Sequence, residues 1–259
     1  GETEIYNLNG ETEVVENVLE HPYNGNVLTI ETGHSIHPLT ITPEHPIYCL
    51  TGQTKGINYN VIKNRLDKKL IEPDWVDAGD LTNNDMIGFP IPTYEKDNTS
   101  LSSEDCYIYG VILGDGCLSN SNPNGYISLH KETKKDVLEI AKQYFDIKFV
   151  PSRDDSIGNT TRIYWSKNVN LPFKYSDVYK NKEKICASRW LNLPIDKSKM
   201  ILKGLINTDG SMGNELVFDS TSYNLIEAVR FICLKLGVLT GGYERDRIGE
   251  SHITKYGNA

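Results

Sequence analysis

Two aspartates end two copies of one short pattern. Ile108-Tyr-Gly-Val-Ile-Leu-Gly-Asp-Gly116 and Leu202-Lys-Gly-Leu-Ile-Asn-Thr-Asp-Gly210 align at an offset of 94 residues. Each is apolar up to its carboxylate, with small residues at i and i+4: Gly110 and Gly114 in the first copy, Gly204 and Thr208 in the second. On a helix such positions share one face, where missing side chains let a second backbone approach. Two helices packed along those faces bring Asp115 and Asp209 side by side, and the closing glycine of each is expected to stop its helix in the left-handed conformation. Paired carboxylates at the negative ends of helix dipoles repel each other unless a cation lies between them. Mg²⁺ (or Mn²⁺) suits the pair, because it takes few carboxylates and leaves its remaining positions to water and phosphate oxygens. Such an ion activates a water and stabilises the leaving oxygen of a phosphodiester. A single Asp-Gly after an apolar run is usually only a helix stop; the repeat is what argues for chemistry.

A second chemical pattern is Thr42-Pro-Glu-His45, placed at the end of a strand-like run. A hydroxyl and an imidazole three residues apart on a turn can address one backbone carbonyl, the Thr positioning it and the His donating a proton to the departing amide nitrogen. Taken alone the tetrapeptide is weak, since most such histidines are structural. Glu44 is expected to face solvent.

The elements that must hold these groups differ along the chain. Up to about Pro90 there are short runs rich in Val, Ile, Thr and Tyr, broken at Asn9-Gly10, Asn24-Gly25 and Thr51-Gly52. This reads as an all-β unit, with a hairpin joining residues 26–32 to residues 37–42. A polar, Ser-rich stretch follows, in which Ser102 or Ser103 can cap a helix. Longer helical periods come next, notably Asp136 to Phe145, apolar at Val137, Leu138, Ile140, Ala141 and Tyr144, and Leu225 to Leu236. After each nonamer a short strand, at Tyr126 to His130 or Glu215 to Phe218, leads to one of these helices. The second part is therefore read as a tandem α+β repeat with pseudo-twofold symmetry. The resulting boundaries are 1–95 for the β unit, 96–105 for a linker, 106–198 for the first repeat and 199–259 for the second.

Charge supports two parts. The 259 residues carry a net charge of −8, but residues 1–100 hold 6 basic against 16 acidic side chains and the remainder 21 against 19. The first fifty residues contain no Lys or Arg, so contact with a polyanion is expected later in the chain. Five scattered cysteines without CxxC spacing argue against a disulfide framework or a cysteine zinc site. With no membrane-spanning run and no signal peptide at Gly1-Glu-Thr-Glu4, an intracellular protein is expected.

The paired nonamer closely resembles that of the LAGLIDADG homing endonucleases, over roughly residues 101 to 259. The resemblance implies two αββαββ repeats, the second cut short here, with the nonamer helices at their interface. It also implies terminal acids that bind the catalytic metals, and it makes Asp115, Asp209, Gly114 and Thr208 the expected metal set. Leu113 and Asn207 stand where the family name has its first Asp, a variable position. Double-stranded DNA is the implied partner, held on two curved sheets in the major groove, and Lys131, Arg153, Arg162, Lys167 and Arg245 are the basic strand residues expected to reach it. A lysine near the metals is also implied shortly before the second nonamer; Lys184 is the best match, with Lys182 close by, although Cys186 stands where the family usually has a proline.

A β-rich unit carrying Thr-x-x-His, a following Trp75 to Leu81 segment and then a LAGLIDADG module resembles an intein, whose Hint-type splicing fold corresponds to residues 1 to about 90. In that family the Thr and His assist the acyl shift at the upstream splice junction, which maps onto Thr42 and His45. The implied partners are then the flanking host segments (exteins) and further intein segments, the chain itself being monomeric. No Cys or Ser nucleophile opens the sequence and no His-Asn pair closes it, so a fragment that does not splice by itself is expected. The alternatives are a free-standing LAGLIDADG endonuclease with an unrelated β domain, and a non-cleaving nucleic-acid-binding module of the maturase or regulator kind.

Overall fold

The computed structural model describes residues 3–53, 57–120, 124–147, 159–165, 169–246, 253–254 and 257–258. Two compact units are present. One comprises residues 1–5, 13–90 and 239–259, the other residues 6–12 and 91–238.

The first unit is built from short antiparallel pairs. β1 (Glu4–Tyr6) and β2 (Thr12–Val14) pair as a hairpin whose residues 6–12 are counted with the second unit, and β3 (Leu28–Ile30) pairs with β4 (Leu39–Ile41) in the register Leu28 to Ile41. Next come β5 (Pro46–Leu50), a helix α1 (Tyr59–Asp67), β6 (Asp74–Asp77), a 3-10 turn at Ala78–Asp80 and β7 (Met86–Ile87). β5 lies between β6 and β7, with Ile47 opposite Val76 and Cys49 opposite Ile87. Ile47, Cys49 and Ala78 are the buried centre, flanked by half-buried residues of β3, β4, β6 and β7. The all-β expectation is corrected by α1. Asn58 caps it, its side chain accepting from the Asn60 amide at 2.8 Å, and only Ile62 is buried along its length. A helix with one buried residue has no apolar stripe, which is why periodicity does not reveal it.

The second unit has one continuous core. Helix α2 (Ser103–Asp115) is buried on every face from Cys106 to Leu113, because its sequence offers no polar side on which it could meet water. A capping box starts it. The Ser102 hydroxyl accepts from the Asp105 amide at 3.0 Å and the Asp105 carboxylate accepts from the Ser102 amide at 2.8 Å. The strands β8 (Gly116–Leu118) and β9 (Gly125–His130) follow, then helix α3 (Lys135–Tyr144) and β10 (Thr160–Trp165). These strands form a sheet in the order β10-β9-β8, whose inward residues Ile127, Leu129, Ile163 and Trp165 are buried.

A short helix α4 (Tyr175–Val178) leads into the hairpin β11 (Tyr179–Lys180) and β12 (Glu183–Lys184), and α5 (Ser188–Leu191) precedes α6 (Ile195–Asp209). The second copy continues with β13 (Gly210–Met212), β14 (Leu216–Phe218) and α7 (Tyr223–Lys235). Its sheet has two strands. A short pair β15 (Ile253–Thr254) and β16 (Gly257–Asn258) ends the chain.

The copies are thus unequal. α6 buries one face only, through Ser198, Ile201, Gly204, Leu205 and Thr208, where α2 buries all of its apolar turns. Residues 239–259 group with the first unit, whereas the sequence places them in the second repeat. Among the described residues no helix is long and apolar enough to cross a membrane.

Candidate functional site

Small residues set the approach of α2 and α6. A Cβ on Gly110 would run into the Ile201 carbonyl, 3.0 Å from its carbon and 3.1 Å from Gly204 Cα. A Cβ on Gly204 would lie 2.8 Å from the Val111 nitrogen and 3.0 Å from the Gly110 carbonyl carbon. One on Gly114 would lie 2.7 Å from Thr208 Cβ and 3.4 Å from the carboxyl carbon of Asp209. Backbone therefore meets backbone along the crossing, and the Asp209 carboxyl sits against the last turn of α2.

The closing glycines act differently from expectation. Gly116 and Gly210 have φ of −91° and −88°, extended rather than left-handed. What requires glycine is space, since the chain reverses directly from helix into strand. A Cβ on Gly116 would stand 2.5 Å from Ile112 Cα, and one on Gly210 would stand 2.9 Å from Ile206 Cα.

Four charged groups meet at this end of the helix pair. Lys134, just ahead of α3, donates from Nζ to Asp115 Oδ2 at 2.5 Å, with both side chains largely covered. Lys184 at the end of β12 donates from Nζ to the Gly114 carbonyl and lies 3.3 Å from the Ile112 carbonyl. Burial raises the Asp209 carboxyl above its ordinary range, the nearby Asp115 charge adds to this, and Lys184 and Lys134 act against it. Burial lowers the Lys184 ammonium, opposed by Asp209 and Asp115. Asp209 thus senses Asp115, and both lysines act on the Asp209 carboxyl.

The β11–β12 turn decides between the two candidate lysines. Asn181 and Lys182 form its two-residue loop, with φ of 52° and 69°. Positive φ at both positions is the type I′ geometry that matches strand twist. It leaves Lys182 exposed at the tip and turns Lys184 inward. Thr208 is buried, its hydroxyl bonded to the carbonyls of Leu205 at 2.8 Å and Gly204 at 3.0 Å, so it packs against Gly114 through its side chain. Gly114, assigned from sequence to the metal set, accepts at its carbonyl from Lys184. Among the described residues no three or more His, Cys, Asp or Glu side chains converge as a metal-holding group. A pair of aspartates fits an ion that keeps most of its shell in water and phosphate, as Mg²⁺ does.

Lys134 was not singled out by sequence. The signal available is its place in the repeat: at the 88-residue offset that aligns α3 with α7, Lys134 matches Ser222. Ser222 also reaches this site, donating from its hydroxyl to the Lys184 carbonyl at 2.6 Å.

The expected DNA-contacting residues scatter. Arg162 lies on β10 with its guanidinium 5.1 Å from the Tyr126 ring centroid, and Tyr126 is tilted against Tyr164 at 5.6 Å. These three side chains share the outward face of the sheet, opposite Ile127 and Ile163. Lys131 lies one residue past β9, its amide donating to the Asn159 carbonyl at 2.6 Å. Arg153 and Lys167 lie outside the described residues. Arg245 corrects the sequence reading: it stands on no strand and belongs to the first unit.

In the first unit Thr42 to His45 is a tight turn, with the His45 amide donating to the Thr42 carbonyl at 3.1 Å. The 3-10 turn is fastened to it: the Gly79 amide donates to the Pro43 carbonyl at 2.8 Å and the Ala78 amide to the His45 carbonyl at 2.9 Å. Thr42 is half-buried, and Glu44 and His45 are exposed. Two segments distant in sequence are therefore one local structure.

No family model matches the chain. It is similar to three proteins of Methanocaldococcus jannaschii. Uncharacterized protein MJ0043 is 23% identical over 93% of this chain and 36% of its own length. The ATP-dependent DNA helicase Hel308 is 27% identical over 76% of this chain and 17% of its own. Uncharacterized protein MJ0314 is 29% identical over 57% of this chain and 60% of its own. The chain's relatives are archaeal and distant. It spans about a third of the first, a sixth of the second and three fifths of the third.

Proposed function

We propose that the chain is part of an intein that carries a LAGLIDADG-type, Mg²⁺-dependent DNA endonuclease. The observation that carries this reading is the convergence of Asp115 and Asp209 at one end of two helices with the same nonamer, packed backbone to backbone. The shares matched in the relatives add support. A similar segment in proteins of very different length, one of them a helicase, is what a portable insert produces.

In this reading Asp115 and Asp209 hold the cation, which when bound supplies an activated water and stabilises the leaving oxygen of the phosphodiester. Lys184, fixed by carbonyls of α2, holds an ammonium beside the acids. Arg162 and the Tyr126–Tyr164 face offer charge and ring surface to a nucleic acid. In the splicing unit, Thr42 would orient the scissile carbonyl and His45 would protonate the departing amide nitrogen as the Cys or Ser side chain of the splice junction adds to that carbonyl.

The test uses DNA in which the gene segments flanking this coding region are joined directly. With Mg²⁺, a double-strand cut by the protein expressed in its full reading frame, lost in Asp115→Asn, is the expected result. Binding without cutting by a folded protein refutes the nuclease and favours the non-cleaving module.

A further inference from the structure

Lys134 sits where a helix does not want it. It occupies the N-cap of α3 and makes no side-chain cap bond. The N-cap favours Ser, Thr, Asp or Asn, and a cation there opposes the positive end of the helix dipole. The matching position in the other copy obeys the rule: Ser222 caps α7, its hydroxyl accepting from the Leu225 amide at 3.3 Å. The turn that presents Lys134 is itself fixed, with the Lys134 amide donating to the His130 carbonyl at 3.0 Å and the Thr133 amide to His130 Nδ1 at 3.2 Å. A residue that breaks a local rule while its repeat partner keeps it is a mark of function.

The ammonium is used on Asp115, one of two acids that otherwise face each other partly desolvated. We infer that Lys134 is a tethered counter-ion, which holds Asp115 in the cation-free protein and which a divalent cation displaces on binding. This rests on the reading of Asp115 and Asp209 as the cation-holding pair. The two halves of the site are thereby unequal: Asp115 carries a built-in ammonium, while the corresponding position beside the second copy, Ser222, carries none. Lys134 is a positioning residue, and its presence lowers cation affinity while holding Asp115 in place beside Asp209.

The experiment measures Mn²⁺ binding by titration calorimetry, and the melting temperature with and without Mg²⁺, for the wild-type chain, Lys134→Met, Lys134→Gln, Lys134→Arg and Asp115→Asn. Met keeps the aliphatic stem without the charge, and Gln serves if the Met variant does not fold. The expected result is a lower cation-free melting temperature for Met or Gln and Mn²⁺ affinity higher by on the order of tenfold, as removal of one competing charge-assisted bond predicts. Lys134→Arg keeps wild-type affinity, and Asp115→Asn removes binding. Affinity unchanged or weakened in Lys134→Met and Lys134→Gln, with binding still lost in Asp115→Asn, overturns the counter-ion and leaves the paired acids standing. No cation response in any variant overturns both.

Discussion

Gly110→Ala tests the crossing of the two nonamer helices, because two effects of known size act with opposite sign. In a helix that touches nothing at this point, Ala is favoured over Gly by about 1 kcal/mol. In the described packing the added methyl meets rigid backbone, the Ile201 carbonyl and Gly204 Cα, rather than the end of a side chain able to swing away. Overpacking costs about 1–3 kcal/mol, and against backbone that cannot swing aside the upper part of that range applies, about 2–3 kcal/mol. The helices must part or tilt, and the net expected change is a destabilisation of about 1–2 kcal/mol after the propensity gain. For a unit of this size that lowers the melting temperature by roughly 2–8 °C. Gly213→Ala is the control: nothing lies within 4 Å of its added Cβ, and its effect should stay within about 0.5 kcal/mol. Thermal melting followed by circular dichroism, with both variants beside the wild type, reads the difference. A melting temperature for Gly110→Ala equal to or above the wild type refutes the close crossing, and with it the geometry that joins the two acids.

Two further outcomes follow from the site. Lys182→Gly should stabilise the protein by about 0.5–1 kcal/mol in chemical denaturation, since φ of 69° suits glycine at the turn tip; destabilisation would show that the Lys182 side chain has a role the exposed turn does not suggest. Asp209→Asn should raise the cation-free melting temperature at neutral pH. The Asp209 carboxyl has its pKa raised on folding, chiefly by burial and then by Asp115. Its ionised form therefore costs stability, increasingly as pH rises from the ordinary value of 3.8 through the folded value. The gain should vanish at pH below 3.8, and a gain that is independent of pH would refute the assignment.

The amino-acid sequence by itself specified the paired pattern, the small residues on one face of each nonamer, and the helices and strands that follow them. These are local or periodic features: Ser102 with Asp105 for a helix start, and apolar spacing in α3 and α7 for buried faces. It also singled out Thr42 to His45 and the Ala78 to Leu81 segment, though not that backbone hydrogen bonds join them. Tertiary structure decided the rest. Lys134 and Ser222 are ordinary surface-type residues until the helix ends are brought over Asp115 and Lys184. The choice between Lys182 and Lys184 depends on a turn whose positive φ values no glycine announces. The glycines after the aspartates are required by the close return of each strand on its own helix, a clearance that appears only when the strand direction is known. Charge, periodicity and capping act within a few residues and are written in the chain, whereas clearance and pairing between distant groups exist only once the backbone has brought them together.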